Sequence, residues 1–301
     1  MRCLFRRRLI RHLKRHVGSY TDTYKQWLGS VNIVIGFTTD KQMPLPNDSS
    51  LPVGVQIVQL PNGGIRLSGV LTSLLVTARG NYDWPVGTSA ATSQATIIAL
   101  ENKAANIIAS LNASGAHSIV TEVSDWGGNN ANTQAKIASA TPKIRTKMLT
   151  AIQRLLLPNS LAVGLDELSD LPGLRLVMAT KVYRFCCPDT GAAVDRHASY
   201  FFNSLKILDL TGVHHGSTNF KREWANGEHT RSRLAIYNSS YHKRDRAEFT
   251  EVYLPLLRQV AHFLNQCGAK YKCAATSKEK SWRPADVEMA AYYWWARNGP
   301  R

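Results

Sequence analysis

Long apolar runs are missing from this chain of 301 residues. No stretch approaches eighteen consecutive apolar residues, so nothing in the sequence reads as a membrane-spanning helix. Acidic residues are scarce: 21 Asp and Glu stand against 37 Lys and Arg, a formal net charge of +16. Such an excess favours a polyanionic partner, nucleic acid first and an anionic membrane surface second, with a merely basic protein as the plain alternative. The cysteines (Cys3, Cys186, Cys187, Cys267 and Cys273) form an odd set without a secretory signature. That suits reduced thiols in a cytoplasmic compartment better than a disulfide framework. Their spacing carries no strong zinc motif, His214-His215 is a lone dipeptide, and no glycine loop of the nucleotide-hydrolase type occurs. No metal and no cofactor is expected.

What is present organises the chain into two parts. "MRCLFRRRLIRHLKRHVGSY" carries seven Arg or Lys residues and no acid, with a loose apolar stripe. It reads as an arm lying on phosphates, as a surface helix, or as a transit peptide low in serine. Residues 31–37 and 53–58 are short and β-branched. Pro61-Asn62-Gly63-Gly64 then gives a hairpin signal before "IRLSGV". A small β element is predicted in this first third, with residues 41–52 as a loop. The division is 1–87, a basic arm plus that β element, and 88–301, a helical body. Within the body, Ile97, Leu100, Ala104, Ile107 and Leu111 share one helical face. A second helix runs through 131–157 with a break or restart at Pro142 and an end at Pro158. Further helices are predicted over 166–185, 195–210, 248–266, with a kink at Pro255, and 284–297. No internal repeat and no βαβ alternation appears, so the fold class is mainly α.

One stretch carries residues that a plain core segment lacks. "LPGLRLVMATKVYRFCCPDTGAAVDRH", Leu171 to His197, opens on a Pro-Gly turn between two helical runs. Such a turn presents backbone N–H groups at the start of the second helix, where a phosphate can dock. Lys181 then sits in an apolar helical run, and Asp195 follows it by fourteen residues. Structural roles account for both residues equally: Lys181 as a snorkelling surface residue, Asp195 as the N-cap of "RHASYFFNSLKIL".

Leu171-Pro172-Gly173-Leu174, with Ala179 beyond, resembles the helix-hairpin-helix motif, with Arg175 at the usual second glycine. "ATKVYRF" and "AAVDRHASYF" resemble the active-site region of helix-hairpin-helix DNA glycosylases, most of all the 8-oxoguanine DNA glycosylases of divergent bacterial type. The likeness covers about residues 165–205, with the hairpin near 165–185. It implies a DNA glycosylase-like helical body with a small N-terminal β element. It also implies cleavage of the N-glycosidic bond of a flipped base, in repair or in defence against phage, with or without AP-lyase activity. The base would be an oxidised purine such as 8-oxoguanine, or a modified base of foreign phage DNA. Lys181 takes the position of the nucleophile or proton shuttle, and Asp195 that of the stabilising carboxylate. Lys181 lies one helical turn further from the hairpin than the family's lysine, and the spacing of fourteen is shorter than usual. The four-cysteine set of the iron–sulfur members is absent. A monomer acting on double-stranded DNA, nucleoid-associated and off the membrane, is the expectation.

Three more segments complete the reading. "SDWGGNNANTQAK" offers Trp126 to stack a base, Gly127 and Gly128 for close approach, and Asn129 or Asn130 to read a base edge; a glycine-rich helix entry with a packing tryptophan is the alternative. Residues 220–246 interleave Lys221, Arg222, Arg231, Arg233, Lys243 and Arg244 with Trp224, Tyr237 and Tyr241, a pattern suited to phosphates with stacking positions. Solvated loop charge is the alternative there. Trp282, Trp294 and Trp295 are expected to pack the last helix onto the body. A non-catalytic helix-hairpin-helix DNA-binding protein is the second functional reading.

Overall fold

The computed structural model describes residues 51–60, 64–85, 87–128, 131–208, 214–217, 246–247 and 249–299. The basic arm, the run at 31–37, Asn129, Asn130, and the cations Lys221, Arg222, Arg231, Arg233, Lys243 and Arg244 lie outside the described residues.

The fold is mainly helical with a small sheet. In chain order the elements are β1 (Gln56–Gln59), β2 (Ile65–Leu67), α1 (Gly69–Gly80), α2 (Ala90–Ile108), α3 (Ala113–Trp126), α4 (Ala131–Ala138), α5 (Pro142–Leu155), α6 (Leu161–Ser169), α7 (Leu176–Cys186) and α8 (Arg196–Asn203). They continue with β3 (Lys206–Leu208), β4 (His214–Ser217), α9 (Leu254–Gln266), β5 (Tyr271–Lys272), β6 (Glu279–Lys280) and α10 (Pro284–Asn298). A π turn at Phe249–Tyr253 leads into α9, whose Pro255 sits in the first turn rather than at a mid-helix kink.

Local chemistry sets most helix starts. Ser68, Ser89, Asn112 and Thr141 each accept a backbone N–H from the first turn of α1, α2, α3 and α5. Pro142 and Pro284 occupy first-turn positions, where a missing N–H costs nothing. Ile97, Leu100 and Ala104 are the buried stripe of α2, as their spacing predicts.

Helix α10 is the centre of the body. Val287, Met289, Ala290 and Ala291 are fully buried, and the helix packs on α8, α1 and α9. Trp282 and Trp295 are buried with it, the packing role expected of this aromatic segment. Ionic contacts run through the same interface. Arg79 Nε of α1 donates to Asp286 Oδ1 at 2.9 Å, and Arg283 bonds both Asp286 and Glu101 of α2. A buried charge needs such partners to offset its lost hydration.

The sheet order is β2-β1-β3-β4. β1 pairs antiparallel with β2, the predicted hairpin, and parallel with β3, where Ile57 faces Ile207. Two expectations are corrected. The β character ends at Leu67, because Ser68 caps α1 and residues 69–80 turn helical. The helix predicted over 195–210 ends at Asn203, and residues 206–208 leave it to pair with β1. The Pro-Gly turn expected between two helical runs is present, with α6 and α7 on either side of Asp170–Arg175. Helix α3 was not anticipated; its apolar face (Ile119, Val120, Val123) is short and interrupted by polar residues. Contacts also cross residue 88, since β1 pairs with β3 and α1 packs on α10.

Candidate functional site

The Pro-Gly turn joins α6 to α7. Leu171 and Leu174 point inward and are buried, while Pro172 and Arg175 are exposed. Leu174 N–H donates to Leu171 O at 3.0 Å, closing the turn, and Gly173 takes φ +81°. That backbone region suits glycine, and an added Cβ would lie 3.2 Å from the Thr133 carbonyl of α4. The turn is therefore seated on α4, with Arg175 as the N-cap residue of α7.

Six residues further along α7, about 9 Å of helical rise, stands Lys181. Its Nζ donates to the carbonyl of Gly127, the C-cap residue of α3, at 3.0 Å, and lies 5.8 Å from the Trp126 ring centroid. A cation at a helix C-terminus is favourable in its own right. Gly127 permits the approach: a Cβ there would sit 2.9 Å from Met178 Cε and 3.3 Å from Lys181 Cδ. Gly128, at φ +72°, makes room in the same way for Trp84, whose Nε1 donates to the Trp126 carbonyl at 2.9 Å. The close approach expected of the two glycines thus serves Lys181 and Trp84. The half-buried Trp126 is held edge-to-face by Phe185 at 4.9 Å and faces Arg184 at 5.4 Å.

Asp195 begins α8. Its Oδ1 accepts the His197 N–H at 2.7 Å, and its carbonyl accepts the Ser199 hydroxyl at 2.8 Å. Capping fixes the carboxylate's position at the mouth of the helix. Lys181 and Asp195 interact electrostatically, but no direct ion pair joins them among the described residues. The structure thus brings together Lys181, Asp195, Trp126, Gly127 and Gly128, with the 171–175 turn at the far end of the same helix.

Residues that sequence reasoning missed complete the cluster. Glu288 of α10 is buried and interacts with Arg184, Asp195 and Lys181. Arg184 is fully buried one turn beyond Lys181, its Nη2 donating to Met289 Sδ at 3.3 Å. Tyr292, one turn beyond Glu288, meets His197 edge-on at 5.3 Å and Trp84 at 5.6 Å. Charged residues at 184 and 288 inside apolar helical runs were the available signal.

Burial governs the electrostatics. It lowers the Lys181 amine from its ordinary value, opposed by Asp195 and Glu288. Burial likewise pushes the Glu288 carboxyl up to about 8, reinforced by Asp195 and opposed by Arg184 and Lys181. Tyr82 and Tyr253, which also feel Glu288, are raised well above the phenol range by burial and stay protonated. The cluster offers an amine with a weakened hold on its proton, an oriented carboxylate and a carboxylic acid, beside aromatic rings.

Of the basic-aromatic segment 220–246 only Arg246 is described, and it pairs with Asp166 of α6. Among the described residues no group of His, Cys, Asp and Glu has a metal-holding arrangement, and no helix is long and apolar enough to cross a membrane. No protein-family model, curated protein or solved structure matches the chain.

Proposed function

We propose that this protein is a DNA glycosylase of the helix-hairpin-helix kind, acting as a monomer on double-stranded DNA. The substrate class is a flipped damaged or modified base, either an oxidised purine such as 8-oxoguanine or a modified base of foreign phage DNA. The observation that carries the reading is one helix, α7, with the Pro-Gly turn at its start and the desolvated Lys181 amine beside Asp195 further along. The net charge of +16 is in keeping with a phosphate-rich partner.

In this reading the turn holds the phosphate backbone through N–H groups, and the target base leaves the stack to reach the cluster. Breaking the N-glycosidic bond builds positive charge on the sugar, which the Asp195 carboxylate stabilises. Neutral Lys181 attacks C1′: a C–N bond forms to Nζ as the bond to the base breaks, and the departing base takes the electron pair. The proton released from the substituted amine neutralises the base anion. Ring opening, in which the sugar ring oxygen takes a proton, leaves a protonated Schiff base; removal of a C2′ proton then expels the 3′ phosphate and cleaves the strand, and water hydrolyses the imine to restore Lys181. Without Lys181 attack, water fills the same position and the enzyme releases the base alone.

The test is mass spectrometry of bases released from DNAs carrying oxidised purines or natural phage modifications. Base release by wild type, lost in Lys181→Gln and Asp195→Asn proteins that still bind DNA, supports the reading. No release from any DNA of the panel overturns it. Borohydride trapping on abasic DNA separates the two chemistries through a Lys181-dependent adduct.

A second reading has its own observation. Lys181 donates to the carbonyl at the C-terminus of α3, a structural role sufficient to retain it. A non-catalytic DNA-binding protein on this scaffold then follows. It predicts that Lys181→Gln costs stability and leaves DNA binding intact, with no base release in any variant.

A further inference from the structure

Positive charge is unevenly compensated in this protein. Among the described residues seven cations, Arg79, Arg154 and Arg283 among them, meet a carboxylate. Helices α4 and α5 differ. Residues 126–165, forty in a row, contain no Asp or Glu, yet they hold Lys136, Lys143, Arg145, Lys147 and Arg154. Arg154 pairs with Glu167, and Arg145 Nε donates to the Ala140 carbonyl at 2.9 Å. Lys136, Lys143 and Lys147 are exposed, and among the described residues no ion pair takes them.

Local packing sets where these lysines stand. Helix α5 buries Met148, Ala151, Ile152 and Leu155, which leaves Lys143 and Lys147 outside, one turn or about 6 Å of rise apart. Helix α4 buries Ile137 and exposes Lys136 beside it. His117 Nε2 of α3 donates to the Ile137 carbonyl at 2.9 Å, and the Arg145 bond ties the start of α5 to the end of α4. The Pro-Gly turn abuts the same surface. A Cβ on Gly173 would lie 3.2 Å from the Thr133 carbonyl and 3.4 Å from Lys136 Cβ. Lys136 therefore stands beside the turn, within a side chain's length of any phosphate held there.

We infer that α4 and the first turns of α5 extend the proposed phosphate-holding turn into a longer surface, on which Lys136, Lys143 and Lys147 track the backbone of duplex DNA. Charge complementarity selects the partner class: an acid-free surface of lysines places several cations on a polyanion without like-charge repulsion of that ligand. A membrane fits less well, because an interfacial helix carries large apolar residues beside its cations. Here the exposed neighbours include Asn132, Ser139, Thr141 and Thr146. The large exposed apolar residues Val53, Val70, Leu157 and Val163 stand elsewhere, Leu157 past the far end of α5. Lysines act on phosphate as point charges and read no base, so this surface supplies affinity without sequence preference.

The inference rests on the DNA part of the proposed function and not on base release. Fluorescence anisotropy of the full-length protein with a labelled duplex, repeated across a salt series, tests it. Each lysine–phosphate contact contributes about 0.9 to the slope of log K against log salt concentration. Lys136→Gln, Lys143→Gln and Lys147→Gln should each lower the magnitude of that slope by about that amount, and the triple variant by roughly 2.7. All three positions are exposed, and matching melting curves check that the fold stands. The double variant Lys278→Gln, Lys280→Gln removes exposed charge from the β5–β6 hairpin, which packs on α1, and should keep the wild-type slope.

An unchanged slope in the triple variant overturns the inference. An equal fall per lysine in the β5–β6 variant also overturns it, since net charge alone would then be at work. So does a triple variant that loses anionic vesicles while holding DNA as tightly as wild type. A reduced slope with no base released from any DNA leaves this surface standing and removes the glycosylase reading; base release with an unchanged slope does the reverse.

Discussion

The Thr180 hydroxyl accepts the Val194 N–H at 3.1 Å, joining α7 to the segment that leads into α8. Each residue immediately precedes a member of the candidate pair, Lys181 and Asp195, so this bond clamps the fourteen-residue spacing that marks the sequence. Thr180 is fully buried and Val194 nearly so. The hydroxyl also donates to the Val177 carbonyl at 2.9 Å, which fixes its rotamer toward Val194.

Thr180→Val keeps the shape and removes the acceptor, stranding a buried N–H. A loss of about 1–3 kcal/mol of stability is expected, read by urea denaturation. Under the proposed glycosylase reading, Lys181-dependent base release should fall with it, although Thr180 is not proposed to touch DNA. A variant of wild-type stability would show that the Val194 N–H finds another partner.

Asp286 holds Arg79 and Arg283 at once, and these cations keep its carboxyl well below the usual range. A carboxyl with a depressed folded-state pKa contributes stability that is complete above its unfolded value. That contribution disappears only below about pH 4. Asp286→Asn leaves buried Arg79 without its counter-charge, and a loss of roughly 3–5 kcal/mol at neutral pH is expected. Denaturant titrations of both proteins should converge toward acid pH.

The opposite sign applies to Glu288. Its folded value of about 8 lies above the ordinary 4.5, so stability is fully present below pH 4.5 and declines as pH rises toward 8. Glu288→Gln removes the ionising group and should flatten that decline. At pH 8 the variant is expected to be more stable than wild type by on the order of a few kcal/mol, and close to it at pH 4.5. Melting temperatures across this window check it; parallel curves would place Glu288 in a solvated environment.

The sequence made some of this visible and hid the rest for physical reasons. The α2 stripe, the restart at Pro142 and the β1–β2 hairpin were legible because period, proline and turn chemistry are local. The β1–β3 pairing was not, since nothing in residues 206–208 announces a partner about 150 residues earlier. Lys181, Asp195 and the Gly127-Gly128 pair stood out as residue types foreign to their surroundings, and the fold assembles them. Glu288 was a visible charge in the last helix, but its sequence surroundings name no partner for it. Only the contact of α10 with α8 and α1 brings its carboxyl to the cluster.

Gly173 offers a test that separates the proposed DNA holding from the proposed chemistry. Its φ of +81° is strained for any residue with a Cβ, and that Cβ would press on the Thr133 carbonyl at 3.2 Å. Gly173→Ala must either carry the strain, about 1–2 kcal/mol, or re-form the turn. The change is remote from Lys181, which lies about two helical turns along α7. If the turn positions phosphates by its backbone, affinity for duplex DNA should drop several-fold, with little change in single-turnover base release at saturating enzyme. Fluorescence anisotropy and single-turnover assays measure the two effects separately. Unchanged affinity in a folded Gly173→Ala protein would remove the turn from the DNA interface, and equal losses in both assays would tie it to the cluster at Lys181.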